Sequence, residues 1–326
     1  MRRRTFLATA AAVSMLAMPN VAQAADKATL MLNWVVYGEH APFIYGKELG
    51  YYAEEGIDLD IQEGRGTGVT IQAVGAGTVE FGLADTSVMI KAAAKGAPVK
   101  AVGVLLQRTF AALVSPAGKI DKPEDIVGKT IAITPGDAVT PLWPLYLNKI
   151  GMKETDVKTV AGDAQTKLNA VVNGQADGLL GSSTEQGARL PDIINAPVSI
   201  LRFTDVGISL VGLGIVASDR TMEGNPDLVR RFMKASTRAV EAAMADPEAA
   251  IKVLLEKYPN IGLPEAQLRS LKYSQGLYFA EGAGPKPFRA DPALIEQSLD
   301  TLVTFGGMPD AERGKASDYF TAEFLP

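Results

Sequence analysis

Trp34, Tyr37 and His40 place an indole, a phenol and an imidazole in one short loop after the apolar run 29–34. Aromatic faces so close together can stack on a planar ligand, each good stack being worth about 0.5–1.5 kcal/mol beyond area burial. Trp34 equally suits a core position closing a strand. His40 either ties the loop together or meets a ligand heteroatom. After the next apolar run comes Gly64-Arg65-Gly66-Thr67-Gly68, whose backbone amides can approach a ligand closely, with Gly66 and Thr67 as candidate contacts. The third glycine stands one residue too early for a dinucleotide fingerprint. Asp85-Thr86-Ser87 follows a third run, where Thr86 and Ser87 are either ligand contacts or helix caps. Two further stretches put small polar residues and one carboxylate after a strand: 135–140, with Gly136, Asp137 and Thr140, and 181–185, with Ser182, Ser183 and Glu185. Asp137 or Glu185 can accept from an amino or imino group and would repel a sulfonate or nitrate. Asp137 also suits a helix cap, and Glu185 with Arg189 an exposed helical pair. Arg65 and Arg108 carry guanidinium forks that match a carboxylate.

The rest of the composition narrows the chemistry. Cysteine is absent and histidine occurs once in 326 residues, so thiol nucleophiles, Cys-ligated metals and multi-His sites are excluded. No Gly-x-Ser-x-Gly elbow or His-Glu-x-x-His pair occurs. A net charge of −5 without a basic run in the body of the chain argues against nucleic acid. These features predict a binder with no metal, no cofactor and no catalytic turnover. The competing class is an exported enzyme working through carboxylates alone, since spatial pairing of Asp and Glu is invisible in a sequence.

Met1–Ala24 carries three arginines, an apolar stretch and the small-x-small site Ala22-Gln23-Ala24, the pattern of a secretory signal peptide. Arg3-Arg4-Thr5-Phe6-Leu7 also resembles a twin-arginine export signal. With no cysteine there is no lipid anchor, and the expected compartment is the periplasm. Beyond this segment, strand-like runs at 29–34, 57–62, 79–84, 99–106, 130–134, 176–180, 198–203 and 210–217 alternate with helical patterns, which predicts an α/β fold with largely parallel sheets. From about residue 226 only helices are expected. Asn225-Pro226, Asp246-Pro247 and Asp291-Pro292 each set a capping residue before a proline suited to the first helical turn. Gly77-Thr-Val-Glu80 and Gly174-Gln-Ala-Asp177 echo each other, each following a helical pattern and leading into an apolar run.

Leu32-Asn33-Trp34, His40-Ala41-Pro42-Phe43, Gly50-Tyr51-Tyr52, Glu55-Gly56-Ile57-Asp58-Leu59, Glu80-Phe81-Gly82, Pro123-Glu124-Asp125-Ile126 and Asn225-Pro226-Asp227-Leu228 carry a resemblance that runs through nearly the whole mature chain. It is to the periplasmic substrate-binding proteins of ABC importers, in the subgroup that binds thiamine pyrimidine precursors, riboflavin, alkanesulfonates, taurine and nitrate. The opening motif looks closest to the pyrimidine and flavin binders. The resemblance implies a two-lobed α/β fold of the type II periplasmic binding proteins. Lobe 1 would comprise residues 28–112 plus 213–326 and lobe 2 residues 113–212, joined by crossovers near 108–116 and 206–216 that hinge over an interlobe ligand. It further implies a monomer that delivers a planar heterocycle to an importer permease in the inner membrane, with an aromatic carboxylate, sulfonate or nitrate as the alternative cargo. A related family makes the thiamine pyrimidine with a cysteine cluster, an activity the missing cysteines do not carry over.

Overall fold

The computed structural model describes residues 25–279 and 285–326, so the export segment expected over 1–24 lies outside the described residues. Among the described residues, ten strands make two five-stranded sheets. They are β1 (Asp26–Met31), β2 (Ile57–Gln62), β3 (Phe81–Asp85), β4 (Val99–Val104), β5 (Ala111–Pro116), β6 (Thr130–Ile133), β7 (Lys158–Ala161), β8 (Gly178–Ser182), β9 (Val198–Arg202) and β10 (Leu213–Ser218). The first sheet has the order β2-β1-β3-β10-β4 and the second β7-β6-β8-β5-β9. Helices flank both, and the C-terminal helices follow β10.

Each sheet is mixed, which refines the expectation of mainly parallel sheets. β1 pairs in parallel with β2 and β3, and β6 with β7 and β8. β10 runs antiparallel to β3 and β4, and β5 antiparallel to β8 and β9. β5 is entered from the first sheet and β10 from the second, so no βαβ unit sets their directions. β5 and β7 are the two strands that the hydrophobic pattern does not announce. β7 is an exposed edge of four residues, and β5 has only Leu113 and Val114 as larger apolar residues between two alanines and Ser-Pro.

The echo in the sequence has a structural counterpart. Glu80 accepts a hydrogen bond from the backbone N–H of Thr29 in β1 (2.8 Å), and Asp177 from that of Thr130 in β6 (3.0 Å). Gly77 and Gly174, at φ +69° and +68°, end the preceding helices in the left-handed conformation that glycine adopts without strain. The two strand orders match position for position, so the same turn is built once per sheet.

The proline-marked starts are real caps. Asn225, Asp246 and Asp291 accept from Leu228, Ala249 and Ala293 N–H at 3.2, 2.9 and 2.9 Å. In the helix Pro226–Ala245 the stripe Leu228, Phe232, Ala235, Ala239 and Ala243 is buried, and Phe232 stacks on Phe81 of β3 with centroids 3.8 Å apart. Gly46 permits the close approach of helix Ala41–Glu48 to this one: a Cβ there would meet that of Ala239 at 2.2 Å.

Candidate functional site

The loops that follow β1, β6 and β8 meet between the sheets, as expected for ligand sites beyond the carboxyl ends of strands. They enclose a cavity of about 30 Å³, room for about two waters. Asn33, Trp34 and Tyr37 line it from the first sheet's side. Asp137, Ala138, Val139, Gly181, Ser182, Glu185 and Gln186 line it from the second, together with Lys167 from the helix Ala164–Val172 and Phe110 from the crossover.

Its charges are committed in pairs. Lys167, only 2% exposed, donates from Nζ to Asp137 Oδ2 (3.0 Å) and to the Leu180 carbonyl (2.9 Å) and lies 5.2 Å from the centre of the Trp34 ring. Asp137 Oδ1 meanwhile accepts from the N–H groups of Val139 and Thr140 (3.0 and 2.7 Å). The capping role of Asp137 and its place in the cavity therefore coexist, one oxygen each. Glu185 accepts from Arg189 (3.1 Å) and from the Gln186 amide. Burial nevertheless raises its pKa above the usual carboxylate range. Trp34 Nε1 is buried without an acceptor among the described residues, a state that costs about 1–3 kcal/mol until something accepts from it.

Behind the cavity sits a carboxylate that the sequence reading did not single out. Glu39 is fully buried; Oε1 accepts from the Tyr37 hydroxyl (2.5 Å), and Oε2 from the hydroxyls of Thr184 (3.1 Å) and Ser274 (2.9 Å). The Thr184 bond reaches from one sheet's loops to the other's. Burial outweighs these donors and pushes the Glu39 carboxyl up to about 7. A raised carboxyl stabilises the fold fully below its ordinary value of 4.5 and loses that contribution as pH rises through 7. We expect Glu39→Gln, which mimics the protonated acid, to gain on the wild type by on the order of 2 kcal/mol between pH 5 and pH 8, read from urea midpoints. An unchanged difference across that range would refute it.

His40 is buried and pushed down to about 3 by desolvation, so the ring is neutral at physiological pH. Its Nδ1 accepts from the Tyr37 N–H (3.3 Å), which leaves Nε2–H to donate to Asn33 Oδ1 (2.9 Å). His40 does not line the cavity; it positions Asn33, which does.

Of the fifteen residues singled out by sequence, the structure gathers Trp34, Tyr37, Asp137, Ser182 and Glu185 around the cavity. The others sit elsewhere. The glycines of the glycine-rich loop do not form an open anion cradle, because their amides are spent: Gly64 N–H donates to Trp34 O, Gly66 N–H to Asn33 O and Gly68 N–H across the cleft to Gly136 O. Thr67 Oγ1 accepts from the Asp85 N–H (3.2 Å). Asp85 caps the helix Thr86–Ala94, and the hydroxyls of Thr86 and Ser87 reach the carbonyls of Val211 and Gly212 beside β10 rather than a ligand. Ser183 donates to Phe110 O (3.1 Å). Arg65 and Arg108 are exposed, and neither lines the cavity; nor do Gly136 and Thr140. Lys167 is the residue whose signal was available. It stands three and four positions before Ala170 and Val171, so the helical period already puts an ammonium on the buried face. Phe110, Gln186 and Asn33 carry no such signal.

The family model described as NMT1/THI5 like matches residues 38–250, more than half of the chain. The chain belongs to the NMT1/THI5-like family. Among curated relatives, a protein of Legionella pneumophila named 4-amino-5-hydroxymethyl-2-methylpyrimidine phosphate synthase is 27% identical over 262 residues, 73% of this chain and 76% of its own. The riboflavin-binding protein RibY of Chloroflexus aurantiacus is 29% identical over 266 residues, 80% of this chain and 75% of its own. In structure, the alkanesulfonate-binding protein SsuA of Xanthomonas axonopodis superposes with a TM-score of 0.68 at 18% identity, covering 93% of this chain and 99% of that one. The periplasmic nitrate-binding protein NrtA of Synechocystis gives 0.65 at 13% identity, covering 92% and 87%. The fold is that of the periplasmic binding proteins.

Membership corrects one expectation. The scarcity of cysteine and histidine predicted a chain without catalytic activity, yet family relatives from Legionella, Aspergillus parasiticus and Saccharomyces cerevisiae are named as a synthase. Residue scarcity excludes particular nucleophiles and metal sites, not catalysis as a class. Among the described residues no helix is long and apolar enough to cross a membrane, and no group of three or more His, Asp or Glu side chains is placed to hold a metal ion.

Proposed function

We propose that this protein captures a small planar nitrogen heterocycle of the pyrimidine class between its two sheets, in the periplasm, and passes it to an ABC importer. One observation carries the reading: Trp34, Tyr37 and Phe110 line the same cavity as the carboxylates Asp137 and Glu185, and the Trp34 indole N–H is buried without an acceptor among the described residues. Aromatic faces stack on a planar ring, the indole N–H donates to a ring nitrogen or carbonyl, and the carboxylates accept from an exocyclic amine. Micromolar affinity requires about −8 kcal/mol, within reach of two stacks and a few buried hydrogen bonds. Lys167, the cation lining the cavity, is already paired with Asp137, which disfavours sulfonate and nitrate. An aromatic carboxylate loses its expected anchors, since Arg65 and Arg108 lie off the cavity.

About 30 Å³ is too little for a pyrimidine, so admission requires the halves to part. The segments between Val104 and Ala111 and between Val206 and Leu213 are the natural hinges. Calorimetry with pyrimidines, flavins, aromatic acids, sulfonates and nitrate tests the ligand class. Pyrimidine binding weakened about tenfold or more in Trp34→Ala is expected, at about 1.4 kcal/mol per decade. Saturable binding of sulfonate or nitrate alone, indifferent to Trp34, would sink the reading. Small-angle scattering should register compaction on saturation.

The names of the curated relatives favour a second reading, in which the cleft also does chemistry on its pyrimidine. Mass spectrometry separates the two: unaltered ligand recovered from stoichiometric protein supports carriage alone, and a changed mass supports the synthase reading.

A further inference from the structure

A second cavity lies away from the aromatic one, against the crossover that leaves the first sheet. It holds about 200 Å³ and is lined by Arg108, Thr109, Ser183, Thr184, Arg202, Thr204, Tyr273 and Leu277. Its polar chemistry is one-sided, for no carboxylate lines it and two guanidinium groups do. Among the described residues neither Arg108 nor Arg202 forms an ion pair.

Accounting for the hydroxyls sharpens the picture. Ser183 spends its proton on the Phe110 carbonyl (3.1 Å) and Thr184 on Glu39 (3.1 Å). Thr109, 5% exposed, accepts the Ala111 N–H at 3.2 Å and keeps its own proton. Thr204 and Tyr273 add hydroxyls with no side-chain partner among the described residues. The cavity thus offers two planar five-donor forks and at least three O–H donors, with hydroxyl oxygens but no carboxylate to balance a bound cation.

We propose that this second cavity binds a phosphoryl oxyanion, either inorganic phosphate or the phosphate of a small monoester. Its oxygens match the bidentate guanidinium geometry, and its charge would relieve the repulsion between two like charges facing one space. The walls come from the crossover (Arg108, Thr109), from the loops after β8 and β9 (Ser183, Thr184, Thr204) and from the C-terminal helix Pro264–Gln275 with the residues just after it (Tyr273, Leu277). Such an anion would tie both halves together beside the hinge. This assignment does not depend on the identity of the ligand in the aromatic cavity.

The test is calorimetry on the full chain in chloride buffer at constant ionic strength, titrating inorganic phosphate in one arm and phenyl phosphate in the other. Saturable binding, weakened at least tenfold in Arg108→Ala and in Arg202→Ala and unchanged in Trp34→Ala, is the expected result. The tighter of the two probes identifies free phosphate or a monoester as the natural class. Both arginines are exposed, so the variants should keep the wild-type melting temperature, and Arg108→Lys and Arg202→Lys should recover part of the affinity through charge alone. No saturable binding of either probe, equal binding by the doubly substituted chain, or loss of binding in Trp34→Ala with both arginines intact would overturn the proposal.

Discussion

Replacing Lys167 by methionine is expected to remove about 3–5 kcal/mol of folding stability, because it keeps the volume of the side chain and leaves Asp137 as a buried charge without its partner. The lysine is 2% exposed and gives two hydrogen bonds, to Asp137 and to the Leu180 carbonyl. Two backbone N–H groups would still face Asp137 Oδ1, so the loop keeps its turn while the carboxylate loses its counter-charge. The companion change is informative: Lys167→Met with Asp137→Asn removes both charges and should recover most of the loss, since a buried pair costs much to break and little to replace. Urea unfolding midpoints measure both. A single variant within 1 kcal/mol of the wild type, on the scale of an exposed pair, would show that Lys167 is not buried against Asp137 in solution.

The second large effect falls on binding. Gly66 has φ +127°, and a Cβ built on it would come within 2.4 Å of the Gly136 carbonyl oxygen on the opposite side of the cleft. Gly66→Ala therefore both strains the backbone, by about 1–3 kcal/mol, and wedges the loops after β2 and β6 apart. A cleft held open loses the contacts from one side, and we expect affinity for the proposed cleft ligand to fall by at least tenfold, with the compaction expected on saturation abolished. Gly68→Ala is the matched control. It lies inside the helix Thr67–Gly75, where its Cβ would sit 3.4 Å from the same oxygen, and alanine is favoured over glycine within a helix. Gly68→Ala should bind normally and melt no lower than the wild type. Equal affinities in the two variants would mean that the approach of Gly66 to Gly136 plays no part in closure.

Much of the molecule could be read from its residues in order. The alternation of apolar runs with helical patterns located eight of the ten strands, because a buried strand needs a short apolar run whatever it packs against. Asn225, Asp246 and Asp291 announced three helix starts, because a cap is a bond between residues three or fewer positions apart. The Glu80 and Asp177 turns were visible as a repeated four-residue pattern. Trp34, Tyr37, Asp137, Ser182 and Glu185 could be found by the rule that ligands meet loops at the carboxyl ends of strands, a rule that needs only the strand positions.

Tertiary structure decided what those residues do. Thr86 and Ser87 read equally as ligand contacts or as helix caps, until the fold made Asp85 the cap and brought the carbonyls of Val211 and Gly212, more than a hundred residues away in sequence, to their hydroxyls. The glycine amides of the glycine-rich loop suited an anion cradle until the loop after β1 and the Gly136 turn used them. Glu39 owes its raised pKa to burial, which outweighs the lowering by its donors Tyr37, Ser274 and Thr184, from three separate parts of the chain. The physical reason is common to all of them. Periodicity and capping are short-range consequences of backbone geometry and are written in neighbouring residues, whereas desolvation and hydrogen-bond partnership depend on which distant groups the packed sheets bring within 3 Å or so.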